Sequence, residues 1–368
     1  MVFRFLANRF PCFAAKRFYG SPTRKTAKGA RKIRMKPIVG ITMGDAAGIG
    51  PEVIAKALAH REVYDVCSPL VVGDASVMKN ALKIVKKNLN VQSVDDPSKG
   101  KYQHGTIDVL DLHNIDASKL QVGKVQQMAG KAALEYIETA VKLAQQNKIN
   151  ALCTASINKE AIKLAGAKVP GHTEILANLT NTKEVTMLLI SGKIRVFHVT
   201  IHVPLSKVPS LITKESVLET IKLAYDSLRG LGIPDPKIAV AGLNPHASDG
   251  GLFGPEEKEK IAPAVEAANK EGMKALGPIP PDTVFVRANK GEFDAVVAMY
   301  HDQGHIPIKL LAFESGVNVT IGLPIIRTSV DHGTAFDIAG KGIADEMSMV
   351  EAIKLAAKMA EVKMASKH

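Results

Sequence analysis

The sequence predicts an α/β fold with a largely parallel sheet, organised as two interleaved α/β/α domains. From Pro37 onward, short β-branched runs alternate with longer segments of helical periodicity. The 368 residues are enough for two domains. Because no internal repeat or low-complexity linker divides the chain, we expect the two domains to interleave along the sequence.

The predicted strands are short apolar runs, and the predicted helices lie between them. The strand candidates are residues 38–43, 69–73, 107–112, 151–155, 185–190, 193–201, 237–243, 294–299 and 317–323. The helix candidates are MAGKAALEYIETAVKLAQQ, ESVLETIKLAYDSLRGL, EKEKIAPAVEAANKEG and MSMVEAIKLAAKMAEVK. We place the first domain at residues 35–158 and 323–368 and the second at residues 159–322, which carries most candidate metal ligands.

Composition and charge exclude several classes of protein. The 46% hydrophobic and 23% charged content is that of a globular protein, and no apolar run approaches the roughly 18 residues of a membrane span. The cysteines Cys12, Cys67 and Cys153 are too few and too far apart for a disulfide framework, which favours a reducing compartment.

The net charge of +12 comes almost entirely from a basic N-terminal extension. Residues 1–34 contain ten Lys or Arg and no acidic residue, so the other 334 residues carry only +2. Such a segment is typical of a mitochondrial transit peptide, or of sequence upstream of a start at Met35. We therefore expect a cytoplasmic protein, with the mitochondrial matrix as the alternative, and neither a nucleic acid nor a membrane as partner.

A glycine-rich segment, GDAAGIGPE, follows the first predicted strand and opens a helix. This context suits an anion bound by backbone N–H groups, but a tight turn explains the glycines equally well. The segment has neither the dinucleotide-binding nor the phosphate-loop spacing. No residue is therefore assigned to a cofactor.

Four histidines lie at the ends of predicted strands, where ligand sites of α/β proteins collect. They are His172, His202, His246 and His301. We expect each of them in a loop, and Gly304 and Pro307 to shape the loop that follows His301. Any one of them alone is expected to be structural, but four in this location indicate a site. Three neutral imidazoles can hold a divalent metal and leave positions open for substrate oxygens.

The last third of the chain adds cationic and amide side chains, Lys309, Asn318 and Arg327. Arginine offers a planar fork for carboxylate or phosphate, and lysine offers a movable point charge. Their closeness in sequence to His301 favours a small substrate that carries both carboxylate and phosphate.

Six segments together resemble one known family. They are ITMGDAAGIGPE, VPGHTE, TIHVPL, GLNPHASDGG, MYHDQG and GVNVTIGLPIIRTSVDHGTA, and they resemble 4-hydroxythreonine-4-phosphate dehydrogenase, the PdxA family, from about Lys36 to the C-terminal helix. The resemblance implies a homodimer related to the isocitrate and isopropylmalate dehydrogenases, with its site in the cleft between domains and shared across the dimer interface.

The resemblance also implies roles for individual residues. The implied metal ligands are His202, His246 and His301, and the implied substrate-binding residues are His172, Thr173, Lys309, Asn318 and Arg327. Lys309 and Asp302 are the catalytic candidates, and Asp302 would orient a metal ligand or accept a proton. The implied cofactors are NAD and one divalent ion per subunit: zinc, cobalt, manganese or magnesium.

The implied reaction is oxidation at C3 and decarboxylation of 4-phosphohydroxy-L-threonine, giving 3-amino-2-oxopropyl phosphate in pyridoxal phosphate biosynthesis. Two departures from the family pattern, Asn158 in SINKE and His305, look like a related branch. That branch acts on 4-phospho-D-threonate or 4-phospho-D-erythronate and gives dihydroxyacetone phosphate. A non-catalytic metal- or anion-binding protein of the same fold is the remote alternative, and it predicts salt-sensitive binding to polyanions through residues 1–34.

Overall fold

The structure is a computed structural model that describes residues 36–169, 171–183, 185–312 and 316–366. The chain from Lys36 onward forms one compact unit. The predictions for the basic extension, residues 1–34, lie outside the described residues. None of the helices described is both long and apolar enough to cross a membrane.

Twelve strands and twelve α-helices alternate along the described chain. The strands are β1 Ile38–Thr42, β2 Ser68–Gly73, β3 Asn90–Val94, β4 Thr106–Asp111, β5 Ala151–Thr154, β6 Thr186–Ser191, β7 Ile194–His198, β8 Lys237–Ala241, β9 Lys274–Ile279, β10 Ala295–Ala298, β11 Val317–Ile321 and β12 Arg327–Val330. The helices are α1 Gly50–Ala57, α2 Arg61–Val66, α3 Ala75–Ile84, α4 Gln127–Gln145, α5 Lys159–Leu164, α6 His172–Leu179, α7 Val208–Leu211, α8 Lys214–Gly230, α9 Ala262–Lys270, α10 Pro281–Asn289, α11 His301–Ala312 and α12 Met347–Ala365.

All twelve strands join one sheet in the order β3-β4-β2-β1-β5-β12-β11-β6-β7-β10-β8-β9. Neighbouring strands run parallel except around β11 and β6, where the pairs β12–β11, β11–β6 and β6–β7 are antiparallel. The predicted α/β fold with a largely parallel sheet is confirmed. Parallel strands end at a common edge, so this edge collects the segments that follow β7, β8 and β10.

The strand order follows the predicted division of the chain. Strands from residues 35–158 and 323–368 occupy one half of the sheet, and strands from residues 159–322 occupy the other, with β12 and β11 adjoining at the middle. The domain boundaries themselves stay a prediction.

Local sequence explains most of these elements. Strands β1, β2, β5 and β10 are buried apolar runs, as expected for parallel strands covered on both faces. Helix α3 is capped by Asp74, whose carboxylate accepts from the backbone N–H groups of Ser76 and Val77. Helix α8 begins with a capping box formed by Thr213 and Ser216.

Three strands of the sheet are not predicted from the sequence. Strand β3 (NVQSV) is a polar edge strand, β9 (KALGPI) is an edge strand that contains Gly-Pro, and β12 (RTSV) is polar although it lies between β5 and β11. The β12 side chains are buried because they bond to their neighbours, as the Arg327–Thr154 contact shows. A search for runs of apolar residues does not detect such a strand.

The segment that begins at His301 corrects a prediction. Its Gly304 and Pro307 indicated a loop after β10, but residues His301–Ala312 form helix α11 with Pro307 inside it. Tertiary contacts stabilise the helix despite the proline: the amide of Gln303 accepts from the Met299 N–H at 2.7 Å and donates to the Gly242 carbonyl at 2.8 Å. Ile308 is buried on the same helix.

Candidate active site

Four imidazole rings gather where β7 and β10 end. His198 is the last residue of β7, His202 follows four residues later, and His301 and His305 stand on the first two turns of α11. The ring centroids of His202 and His301 are 5.6 Å apart, and those of His198 and His305 are 4.8 Å apart. A cavity of about 350 Å³ opens beside His202, Tyr300 and His301.

The ring of His301 is held from two sides. Its Nδ1–H donates to the Asp302 carboxylate at 2.7 Å, since a carboxylate only accepts, and this leaves Nε2 with a free lone pair. The His305 ring stacks on it with centroids 3.7 Å apart and 11° between the planes. The Nδ1–H of His305 donates to the His301 carbonyl at 3.1 Å. An imidazole oriented by a carboxylate in this way is typical of a metal ligand.

Sequence reasoning missed His198. It lies inside a predicted strand, where a histidine is easily taken for part of the core, but its spacing of four from His202 was a usable signal. The side chain is buried, and neither ring nitrogen has a partner among the described residues. Burial, helped by the neighbouring rings of His305 and His301, lowers the pKa of His198 to about 3, so the ring is neutral.

The three predicted metal ligands do not meet within one chain. His246 lies after β8 with its Nδ1 3.8 Å from the Asp282 carboxylate, and its side chain is 66% exposed. Within the described ranges, no three His, Cys, Asp or Glu side chains form a group that could hold a metal ion. His202 and the oriented His301 suit two of the ligand positions of a divalent ion. The third imidazole does not lie beside them, so the residues present fit a metal ion only in part.

The segment that carries His246 has an uncommon backbone. Five consecutive residues, His246 to Gly250, have φ between 43° and 72°, a left-handed conformation that costs energy for residues other than glycine. Backbone strain of this kind concentrates at functional sites. The exposed apolar side chains of Leu252 and Phe253 follow directly.

A second cavity, of about 160 Å³, lies at the ends of β5 and β12, and we call it the arginine cavity. Its polar lining comprises Thr154, Ser156, Lys159, His172, Arg327, Ser329 and His332. Arg327 is only 4% exposed, and it donates to the hydroxyls of Thr154 and Thr320 at 2.7 and 2.8 Å. No carboxylate of the described residues pairs with it, and burial lowers its pKa to about 10.

A buried guanidinium without a carboxylate is costly, and a bound anion would offset this cost. His172 lines the same cavity, and its Nε2 is buried without a partner in the described part of the chain. Burial and the Arg327 charge hold the pKa of His172 well below its usual range. The structure thus brings two of the predicted substrate-binding residues, His172 and Arg327, to one cavity.

The other predicted substrate-binding residues, Thr173, Lys309 and Asn318, do not line this cavity. Thr173 follows His172 in the first turn of α6. The Lys309 ammonium lies 2.8 Å from the carboxylate of Asp331, the residue before His332 of the cavity lining. The Asn318 side chain lies on β11 and contacts the sulfur of Met187. Their roles, and the catalytic roles of Lys309 and Asp302, stay predictions.

Two motifs singled out in the sequence have structural explanations. Asn158 caps α5, accepting from the Ala161 N–H at 2.9 Å. In the glycine-rich turn the N–H groups of Asp45, Ala47, Gly48 and Ile49 are all bonded within the protein, so they are not open to an anion. This favours the tight-turn interpretation, and a Cβ on Gly44 would lie 2.3 Å from the Ser156 carbonyl oxygen.

Comparison with known proteins places these residues in context. The model of the family described as "Pyridoxal phosphate biosynthetic protein PdxA" matches residues 65–356. A protein of Cupriavidus necator named D-threonate 4-phosphate dehydrogenase is 53% identical over 325 residues, 88% of this chain and 97% of its own. One of Desulforapulum autotrophicum named 4-hydroxythreonine-4-phosphate dehydrogenase is 51% identical over 328 residues, 89% of this chain and 96% of its own.

A solved structure is similar throughout. The crystal structure of a 4-hydroxythreonine-4-phosphate dehydrogenase from Burkholderia phymatum superposes with a TM-score of 0.79 at 51% identity, covering 89% of this chain and 99% of that one. The matched region therefore includes both the imidazole cluster and the arginine cavity.

Proposed function

Because this chain belongs to the PdxA family of dehydrogenases, we propose that it oxidises a phosphorylated hydroxy acid with NAD and decarboxylates the product. The observation that carries the proposal is the arginine cavity, in which the buried Arg327 has no carboxylate partner among the described residues. An acidic substrate supplies the missing negative charge.

The substrate that we favour is 4-phospho-D-threonate, the acid for which the Cupriavidus necator relative is named. The Desulforapulum autotrophicum relative favours the second candidate, 4-phosphohydroxy-L-threonine, and with it a role in pyridoxal phosphate biosynthesis. The two acids differ at C2, hydroxyl against amino.

The reaction balances as two steps. C3 loses a hydride to NAD and its hydroxyl loses a proton, which gives a 3-oxo acid. The 3-oxo acid then loses CO2 from C1, and the carbon that is left takes up a proton to give dihydroxyacetone phosphate from 4-phospho-D-threonate. We propose NAD as the acceptor because the relatives are named dehydrogenases; when bound, it supplies an acceptor for the hydride.

The residues of this chain bind the substrate and orient the groups that react with it. Arg327 and His172 hold the acid at one end, and Asp302 fixes the His301 ring so that Nε2 faces a ligand. A divalent ion held by His202, His301 and a third imidazole would stabilise negative charge developing at the C3 oxygen. The zinc, cobalt, manganese and magnesium ions of the prediction all remain candidates.

We propose that the third imidazole is His246 of a second subunit, as the family resemblance implies. Exposed apolar side chains lie beside both parts of the incomplete ligand set: Leu205 near His202 and Leu252 after His246. Such side chains mark protein interfaces. A homodimer would cover them and complete the site. We expect it to work in the cytoplasm, since the matched relatives are bacterial.

Product analysis separates the two substrates. Metal-loaded protein is incubated with NAD and either acid, and NADH, CO2 and the phosphorylated product are quantified. We expect one NADH and one CO2 per molecule, dihydroxyacetone phosphate from 4-phospho-D-threonate, and a higher kcat/KM for that acid. A higher kcat/KM for 4-phosphohydroxy-L-threonine, with 3-amino-2-oxopropyl phosphate as product, would move the enzyme to vitamin B6 synthesis.

A further inference from the structure

The loop that carries His246 is fixed at its entry by one buried carboxylate. Glu257 is only 4% exposed. Its Oε1 accepts from the backbone N–H groups of Leu243 and Asn244 at 2.8 and 2.7 Å, and its Oε2 accepts from the side-chain amide of Asn244 at 2.9 Å. One carboxylate therefore receives three hydrogen bonds from the residues that connect β8 to the strained residues His246 to Gly250, which we call the His246 segment.

These three hydrogen bonds are strong enough to fix the loop. Burial of a carboxylate is costly unless hydrogen bonds offset its lost hydration. Hydrogen bonds to an ionised acceptor are shorter and stronger than those between neutral groups. Removal of the Glu257 side chain would leave the loop entry without all three bonds at once.

A second buried side chain links the same loop entry to the helix that carries His301. Gln303 of α11 is 8% exposed, and its amide donates to the Gly242 carbonyl at 2.8 Å and accepts from the Met299 N–H at 2.7 Å. Gly242 directly precedes the residues bound by Glu257, and Met299 lies two residues before His301. Gln303 thus bridges the two parts of the chain that carry His246 and His301.

The backbone next to these bonds has little freedom to move. A Cβ on Gly242 would lie 2.8 Å from the Ala247 Cα and 3.2 Å from the Glu257 Oε1, so the loop entry packs directly on the His246 segment. The segment itself has five consecutive residues in the left-handed region, and such backbone persists only where the surrounding contacts determine it. Loss of the bonds to Glu257 or to Gln303 would therefore displace His246.

We propose that Glu257 and Gln303 are positioning residues for metal binding: Glu257 fixes the entry of the His246 segment, and Gln303 holds this entry against the helix that carries His301. Both act through the backbone of the segments that carry the imidazoles. The inference rests on the proposed function, because it requires a divalent ion bound by His246 and His301.

Cobalt affinity tests the positioning role without turnover. The Kd for Co²⁺ is measured against a chromogenic chelator in the full-length protein and in the variants Glu257→Ala, Glu257→Gln and Gln303→Met. We expect it to rise about tenfold in Glu257→Ala and Gln303→Met, and less in Glu257→Gln, which keeps an oxygen acceptor for the backbone N–H groups. Glu259→Gln is the matched control, because Glu259 is exposed two residues further on, and its Kd should stay within about twofold of the parent value.

The visible absorption of the cobalt-loaded protein separates positioning from a general loss of stability, because this spectrum depends on the coordination geometry. We expect the spectrum to change in Glu257→Ala and Gln303→Met at full metal occupancy. Thermal unfolding is recorded for each variant. A lower stability with an unchanged spectrum and an unchanged Kd would overturn the proposal. If Glu257→Ala does not fold, Glu257→Gln and Gln303→Met decide the test.

A double-mutant cycle tests whether Glu257 acts through His246. Glu257→Gln is introduced into the parent protein and into the His246→Ala variant, and the Kd for Co²⁺ is compared in each pair. We expect the second pair to differ by less than about twofold, because a positioning residue has no effect once the ligand that it positions is absent. An equal rise of the Kd in both pairs would contradict the assignment of Glu257 to His246.

Metal binding and turnover together separate this inference from the proposed function. A Kd for Co²⁺ that depends on Glu257 and Gln303, in a protein that oxidises neither phosphorylated acid, supports the positioning role and refutes the proposed function. Turnover in a protein whose Kd for Co²⁺ is insensitive to both residues does the opposite.

Discussion

Buried polar side chains reveal the candidate site at the scale of single residues. Arg327 and His172 were predicted from the family resemblance, and the structure supplies a physical reason for interest in them: burial without a full set of partners. His198 and His332 share this property and were not singled out, because one sequence does not show whether a histidine is buried or bonded. The sequence therefore predicts the residue types of the site better than its complete membership.

Asp45, in the glycine-rich turn, makes stability depend on pH. Its Oδ1 accepts from the Ala47 N–H at 2.8 Å, and its Oδ2 is buried without a partner in the described ranges. Burial raises its pKa from 3.8 to about 6. Because the folded-state pKa exceeds the unfolded value, the Asp45 contribution to stability is fully present below pH 3.8 and is lost as pH rises through about 6.

We therefore expect Asp45→Asn, which keeps the oxygen acceptor and removes the charge, to raise the free energy of unfolding by about 1–3 kcal/mol at about pH 8. The gain should shrink as the pH falls towards about 4. Urea unfolding at several pH values measures it, and a gain that does not vary with pH would contradict the assignment.

Asp302 orients His301, according to the 2.7 Å hydrogen bond between them. We expect Asp302→Ala to weaken metal affinity by about 10- to 100-fold, and Asp302→Asn, which retains an oxygen acceptor, to weaken it less. Competition with a chromogenic chelator gives the affinities. Equal metal affinity in the Asp302→Ala variant and the parent protein would contradict the orienting role. Unchanged turnover in the Asp302→Asn variant would exclude Asp302 as the proton acceptor.

Secondary-structure elements position the cavity lining. Helix α5 begins at Lys159, is capped by Asn158, and packs closely on α4. This contact needs a glycine, because a Cβ on Gly130 of α4 would lie 2.1 Å from the carbonyl oxygen of Ala161. The periodicity of residues 128–146 predicted α4 correctly, but no local pattern indicates which glycine a neighbouring helix requires.

Gly130→Ala should accordingly displace α5. We expect a loss of about 1–3 kcal/mol in the free energy of unfolding. The control is Gly230→Ala at the end of α8, where no atom lies within 4 Å of the added Cβ; its stability should stay equal or rise slightly. Calorimetric melting compares the two, and equal stabilities would show that α5 accommodates the methyl group.

Secondary-structure elements were predictable where the local hydrophobic pattern agrees with the tertiary packing, and unpredictable where the two conflict. The nine predicted strands all correspond to strands of the sheet, because each is a largely apolar run buried in the sheet. Helix α11 was missed because Pro307 opposes a helix locally, while Gln303 and Ile308 attach the segment to the sheet. Contacts between distant residues decide such a case, and a local pattern does not contain them.

The whole molecule brings together residues far apart in sequence, but not all of them within one chain. His202 and His301 meet, while His246 lies apart at Asp282. Spacings of 44 and 55 residues between the three histidines could not reveal whether they meet within one chain or between two. This separation supports our proposal that a second subunit completes the site.

A single exposed side chain tests this proposal. Leu252 is 73% exposed and follows the His246 segment. We expect Leu252→Asp to weaken dimerisation at least tenfold, since it places a charge in an apolar interface, and to lower metal affinity with it. Sedimentation and metal titration are the measurements. A monomeric parent protein, or a dimeric variant with unchanged metal affinity, would contradict a metal site shared between two subunits.

The basic extension contributes most of the net charge, and we expect it to contribute nothing to catalysis. A protein that starts at Met35 should keep kcat and KM within about twofold of the full-length values, because all proposed ligands lie beyond residue 35. Salt-sensitive binding to polyanions that disappears on truncation, together with absent turnover, would instead favour the non-catalytic alternative.

NADH formation from 4-phospho-D-threonate by the metal-loaded, full-length protein is the most direct test of the central claim. The account predicts NADH in step with CO2, abolished by a chelator and restored by a divalent metal. No NADH from this acid or from 4-phosphohydroxy-L-threonine, with zinc, cobalt, manganese or magnesium, in a protein shown to be folded and dimeric, would contradict it.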